Sequence, residues 1–166
     1  MKKAFFLTAI CLATLVAISC KNEKRPDGMP DIYPCSLKII QDSQPLPDAQ
    51  VRIASSDPQI ARFPCGGTSD QSGVVELKTM GFKGAPRGTF KVVVSKIEWK
   101  NRPSNAEEAR KYESEGIKEE SYDLVDRKFA DASTTPLEIE IQEGVSSPIE
   151  IDVGSAVHVS REDLMR

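Results

Sequence analysis

Apolar and polar residues alternate with a period of two along much of the chain, and turn-forming residues bound each alternating run. In residues 34–41, Leu37 and Ile39 fall on one face and Lys38 on the other, which predicts a strand. The breaker-rich stretch 42–48 precedes a second alternation over 49–53, and the turn cluster 68–73 precedes a third over 74–79, with Val75 and Leu77 inward. Toward the end, Leu137, Ile139 and Ile141 alternate with Glu138, Glu140 and Gln142. Ile149, Ile151 and Val153 alternate with Glu150 and Asp152. This last pair predicts a hairpin closed by a five- or six-residue loop. The longest run, 90–96, follows a Gly/Pro turn at 84–88. Phe90, Val92 and Val94 share one face while Val93 lies on the other, as in a central strand covered on both sides.

One stretch reads differently. Ser104-Asn105-Ala106-Glu107 has the form of a capping box, with Ser104 as N-cap and Glu107 at N3, and predicts a short helix over 105–114. Its apolar face is thin (Ala106, Ala109, Tyr112), so it needs support from elsewhere. Residues 116–131 are charged and predict irregular chain, with Leu124, Val125 and Phe129 as anchors. The whole connection, 97–136, is long for a compact domain, and such connections are often functional. Trp99, Tyr112, Tyr122 and Phe129 make it the candidate partner-binding loop; a packed excursion that closes a sheet edge is the bland alternative.

The N-terminus changes the picture most. Lys2 and Lys3 precede an apolar segment over 4–18, short for a membrane span, that ends in Leu15-Val16-Ala17-Ile18-Ser19-Cys20. This resembles the lipobox of bacterial lipoproteins, with Ala17 where Leu is commonest. It implies a signal peptide at 1–19, lipidation of Cys20 and a polar tether over 20–32; an ordinary secretory signal with a chance cysteine is the other reading. Acyl chains on Cys20 anchor a protein firmly, since each buried methylene contributes about 0.8 kcal/mol. The folded domain is expected at 33–154 and a polar tail at 155–166. Loss of Lys2 and Lys3 with the leader takes the formal charge from −3 to −5, and no basic stripe is present, which argues against nucleic acid as a partner. Cys11 leaves with the leader. Cys35 and Cys65 then remain in an oxidising compartment, where one disulfide is the expectation. It would close a loop of about 30 residues and stabilise by roughly 3.5 kcal/mol in the chain-entropy picture. A metal site from this pair is disfavoured, because His158 is the single histidine and lies in the polar tail.

Three ordered signatures carry a resemblance: Pro45-Leu46-Pro47-Asp48-Ala49-Gln50-Val51, Asp70-Gln71-Ser72-Gly73-Val74-Val75-Glu76-Leu77, and Gly84-Ala85-Pro86-Arg87-Gly88-Thr89-Phe90-Lys91-Val92. Over residues 33–97 the chain resembles the carboxypeptidase regulatory-like domain, a transthyretin-like (prealbumin-like) sandwich. Asp48, Val75 and Phe90 stand where that family has Gly, Phe and Tyr. Residues 124–137 look like a block that precedes the last two strands in small envelope lipoproteins, with Asp126 and Phe129 replacing Pro and Tyr. The expected fold is all-β, a seven- to eight-stranded antiparallel sandwich with one short helix in a long loop.

The resemblance carries no catalytic residue with it. A single histidine leaves no Ser-His-Asp set and no multi-histidine metal site, and no phosphate loop is present. Asp70-Gln71-Ser72-Gly73 has too few charged oxygens for a calcium loop and reads as a turn. No cofactor is expected. The leading expectation is a non-catalytic module, lipid-anchored in the bacterial envelope and facing the periplasm or the exterior, that binds an envelope protein or a glycan. A purely structural accessory subunit is the runner-up, and a hydrolase built on a carboxylate pair the third.

Overall fold

The computed structural model of the chain describes residues 24–144 and 148–162, so the expected leader over 1–19 and Cys20 lie outside the described residues. In chain order the principal elements are β1 (Ser36–Gln41), β2 (Gln50–Ala54), β3 (Cys65–Thr68), β4 (Val74–Glu76), β5 (Gly88–Ser95), β6 (Ile97–Lys100), α1 (Ala106–Glu115), β7 (Glu120–Asp123), β8 (Glu138–Ile141), β9 (Ile149–Asp152) and β10 (Val159–Ser160). Among the described residues no helix is long and apolar enough to cross a membrane.

The alternating runs form two sheets. One runs β8-β5-β2-β3 and continues through Lys78–Thr79 to Phe82–Lys83; the other centres on β1, with β9 on one side and β4 and Gln44–Pro45 on the other. Their inner faces meet in one core. Leu37 and Ile39 of β1 and Ile151 of β9 join Val51, Ile53, Phe90, Val92, Val94, Ile139 and Ile141 of the first sheet. Burial of these side chains, each worth about 1.5–3 kcal/mol, is the main force holding the layers together. The fold is thus an all-β sandwich with one short helix in its long connection. β5 is the central strand that its valines predict. Phe90 lies opposite Ile139 on one side, and Val92 and Val94 opposite Ile53 and Val51 on the other. Val93, beside Arg52 on the outer face, is still buried.

Two expectations about pairing fail. β8 and β9 do not form a hairpin: β8 borders β5, and β9 runs parallel to β1, with Ile149 opposite Leu37 and Ile151 opposite Ile39. Alternation fixes which face of a strand is buried, not which neighbour it takes, and facing each other across the core buries both apolar faces equally well. Residues 74–79 are likewise not one strand of one sheet. β4 pairs with β1, whereas Lys78–Thr79 pairs with β3, and the buried Leu77 marks the crossing. Strands that switch sheets in this way form the corners of a sandwich.

The turns explain the spacing of the runs. Asp48 takes a left-handed φ of 55°, and Gly73 one of 77°; a Cβ on Gly73 would stand 2.6 Å from the Ile39 carbonyl oxygen. Asp70 closes that second turn by accepting hydrogen bonds from the Ser72 hydroxyl and from the Val74 and Ser72 amides, and these, the hydroxyl foremost, hold its carboxyl below the usual range. Upstream, Ile32–Tyr33 pairs with Ala85–Pro86, and Arg62 donates to the Gly28 carbonyl, so the end of the stretch expected to be a tether docks on the sandwich.

Candidate functional site

The 97–136 connection builds a third sheet of its own. β6 and β7 are antiparallel, with Glu98 opposite Tyr122 and Trp99 opposite Ser121. β10 completes the ribbon, placing Ser160 opposite Tyr122 and Val159 opposite Asp123. Residues 116–131 were expected to be irregular, and 155–166 to be a polar tail; β7 and β10 are strands in which polar residues occupy both faces, so no apolar alternation announces them. Residues 163–166 of that expected tail lie outside the described residues.

α1 sits at the tip of this ribbon, between β6 and β7. Its N-cap is Asn105, one residue later than expected, accepting hydrogen bonds from the Glu107 and Glu108 amides at 3.1 and 2.9 Å. Glu108, now at N3, accepts from the Ser104 amide and hydroxyl, both at 2.8 Å, and from the Tyr112 hydroxyl at 2.8 Å. These donors, the Ser104 amide foremost, pull the Glu108 carboxyl down to about 2. The same contact pushes the Tyr112 hydroxyl up. Gly116 ends the helix in the left-handed conformation.

Cross-strand register sorts the ribbon into two faces. On one face His158 stacks on Tyr122, with ring centroids 4.2 Å apart and planes inclined by 18°. His158 Nε2 lies 2.9 Å from Glu98 Oε2. The Tyr122 hydroxyl donates to Glu120 at 2.5 Å, which raises its pKa, and Lys100 Nζ stands 4.8 Å from the Tyr122 ring centroid. On the other face Trp99 is 43% exposed, with the Arg102 guanidinium 4.6 Å from its ring. Farther along that face the nearly buried Asp123 carboxylate accepts from Arg127 Nε at 2.8 Å and faces Arg161 Nε at 3.4 Å. This clamp borders a cleft of about 250 Å³ whose apolar wall is Val125, Val157 and Val159.

Of the four aromatic residues singled out in the connection, three decorate the ribbon and its helix: Trp99, Tyr112 and Tyr122. Phe129 does not join them. It ends a short 3-10 turn, Arg127–Phe129, and is buried in the sandwich core, where it fastens the end of the connection. His158, Asp123 and Arg161 were not singled out, although the alternation Val157-His158-Val159-Ser160 is a faint strand signal. The disulfide expected between Cys35 and Cys65 is not formed in this structure: both carry free thiols, Cys35 half-buried and Cys65 buried. Burial pushes the Cys65 thiol up to about 11 and raises that of Cys35 as well. The ribbon carries an exposed indole with a cation over it, a stacked His–Tyr pair, and charges arranged on both faces, groups of the kind found at binding surfaces.

Comparison with protein-family models, curated proteins and solved structures found no match for this chain.

Proposed function

We propose that this chain is a lipid-anchored module of the bacterial envelope, held by Cys20, whose prealbumin-like sandwich presents the β6–α1–β7–β10 ribbon to an envelope protein or a glycan in a non-catalytic role. The observation that carries the reading is that the long connection is folded. It forms a sheet and a capped helix outside the sandwich core and leaves Trp99 exposed on it. Large exposed aromatics flanked by guanidinium groups are the usual anchors of binding surfaces. The kinship with carboxypeptidase regulatory-like domains is supported by the turns: Asp48 adopts a left-handed φ at the position where that family has Gly. The second reading, a purely structural accessory subunit, is favoured by Phe129 and by the Asp123 clamp, which tie the ribbon down.

Cross-linking in the native envelope separates the two. The wild-type chain should trap one specific partner, and Trp99→Ala should lose it while the fold, followed by circular dichroism, is unchanged. Equal recovery from both chains, or no specific partner from either, would leave the accessory reading standing. Lipidation is checked by the mass of the membrane-extracted chain and by release of Cys20→Ser from the membrane fraction.

A further inference from the structure

Residues 74–79 leave one sheet and enter the other at Leu77, and the two cysteines flank that crossing. The Leu77 amide donates to the Cys35 carbonyl at 3.0 Å. Cys65 stands opposite Thr79 in the ladder of the other sheet. Gly84 joins the two sides. Its amide donates to the Leu77 carbonyl at 2.8 Å, and its own carbonyl accepts from Thr79 Oγ1 at 2.8 Å, with the Cys65 sulfur 4.0 Å away. Only a glycine fits there, because a Cβ would stand 2.7 Å from the Tyr33 carbonyl oxygen. The strand leading into Cys35 is therefore pressed against the same residue that the Cys65 sulfur touches.

The two thiols differ in access. Cys35 borders a cleft of about 270 Å³, together with Gly84, Leu77 and the exposed Glu76–Lys83 ion pair. Cys65 is buried behind it and faces the core.

We propose that Cys35 and Cys65 close a disulfide across this corner when a small disulfide oxidant enters the cleft, stapling the β1 sheet to the β3 sheet. The oxidant is of the class R–S–S–R. The Cys35 thiolate attacks one of its sulfurs and releases the first thiolate, leaving Cys35 in a mixed disulfide. Cys65 then gives its proton to solvent and attacks the Cys35 sulfur, releasing the second. Two protein thiols and one disulfide become one protein disulfide and two small thiols. Because Cys65 is reluctant to ionise, the second step is the slow one and speeds up as pH rises.

The envelope reading enters only through the supply of oxidant, and the two can be tested apart. The full chain, reduced in detergent solution, is treated with glutathione disulfide and digested without reductant. The expected product is a Cys35–Cys65 linked peptide, lighter than its parts by the two thiol hydrogens. The melting temperature should rise by about 10 °C over the reduced chain. Cys65→Ser should stop at a stable glutathione adduct on Cys35, and Cys35→Ser should leave Cys65 unmodified while folded. A wild-type chain that keeps glutathione on Cys35, with Cys65 open to alkylation after denaturation, would overturn the proposal. Closure in solution alongside two free thiols in freshly alkylated cells would uphold the staple and overturn the envelope reading instead.

Discussion

The imidazole of His158 lies flat on the phenol ring of Tyr122, at 4.2 Å between centroids. The contact joins the last described strand to the middle strand of the ribbon, and the backbone pairing of Tyr122 with Ser160 runs directly beside it. A two-residue strand such as β10 has little ladder of its own, so this side-chain pair holds a large share of its attachment.

His158→Ala is therefore expected to loosen β10 without unfolding the sandwich. An aromatic stack of this kind contributes about 0.5–1.5 kcal/mol. Amide hydrogen exchange should accelerate about tenfold at Arg161, whose amide donates to the Ser121 carbonyl, and should be unchanged at Val92 and Val94 in the core. Equal acceleration at both places would mean that ribbon and sandwich open as one unit.

Glu108 makes the ribbon helix sensitive to acid. Its carboxyl is held at about 2 in the folded chain against an ordinary value of 4.5. A depressed folded pKa stabilises fully above the unfolded value and is lost as pH falls through the folded one. The α1 cap should thus weaken progressively between about pH 4.5 and pH 2, seen as a loss of helical ellipticity and faster exchange at Ala109. Glu108→Gln should show a weaker helix at neutral pH and a flat response across that window.

The two turn residues should respond in opposite directions. Asp48→Gly removes the strain of a non-glycine residue at φ 55° and is expected to stabilise by about 0.5 kcal/mol. Gly73→Ala adds a methyl 2.6 Å from the Ile39 carbonyl oxygen at φ 77° and should destabilise by about 2–3 kcal/mol. Urea denaturation of the two variants checks both signs.

Phe129 and Trp99 should separate stability from binding. Phe129→Ala opens a hole in the core and is expected to destabilise by about 3–4 kcal/mol. Trp99→Ala lies on the exposed face and should change stability by less than about 0.5 kcal/mol while removing partner capture. A large stability loss in Trp99→Ala would show that the indole belongs to the scaffold.

What could be read from the chain follows from where apolar side chains are concentrated. β5 was legible because Phe90, Val92 and Val94 all face the core, and β1, β2 and β8 for the same reason. Partners were less legible, since Ile149 and Ile151 alternate in the same way whether β9 joins β8 or β1. β7 and β10 left almost no trace, because Tyr122, Ser121, His158 and Ser160 are held by stacking, charge and backbone pairing rather than by burial. The helix cap was misplaced by one residue. Ser104-Asn105 offers two capping side chains and Glu107-Glu108 two acceptors, so both registers satisfy the capping pattern. The chosen one also gives Glu108 the Tyr112 hydroxyl one turn away. Trp99 and Tyr122 stand out in the sequence as aromatic residues of the connection, yet their separation onto opposite faces depends on a register that only the β6–β7 pairing fixes.

The parallel pairing of β1 with β9 has a mechanical side. β1 is the first long strand of the sandwich, and the chain leaving β9 runs on to the ribbon strand β10. In a lipid-anchored protein whose ribbon is gripped by a partner, tension enters at the start of β1 and leaves from the far end of β9. Because the two strands point the same way, that tension would slide one along the other. The evenly spaced bonds linking residues 37–40 to 149–152 would then be strained together rather than peeled apart in turn, so that under the proposed anchoring the first and last strands of the sandwich would act as a lap joint.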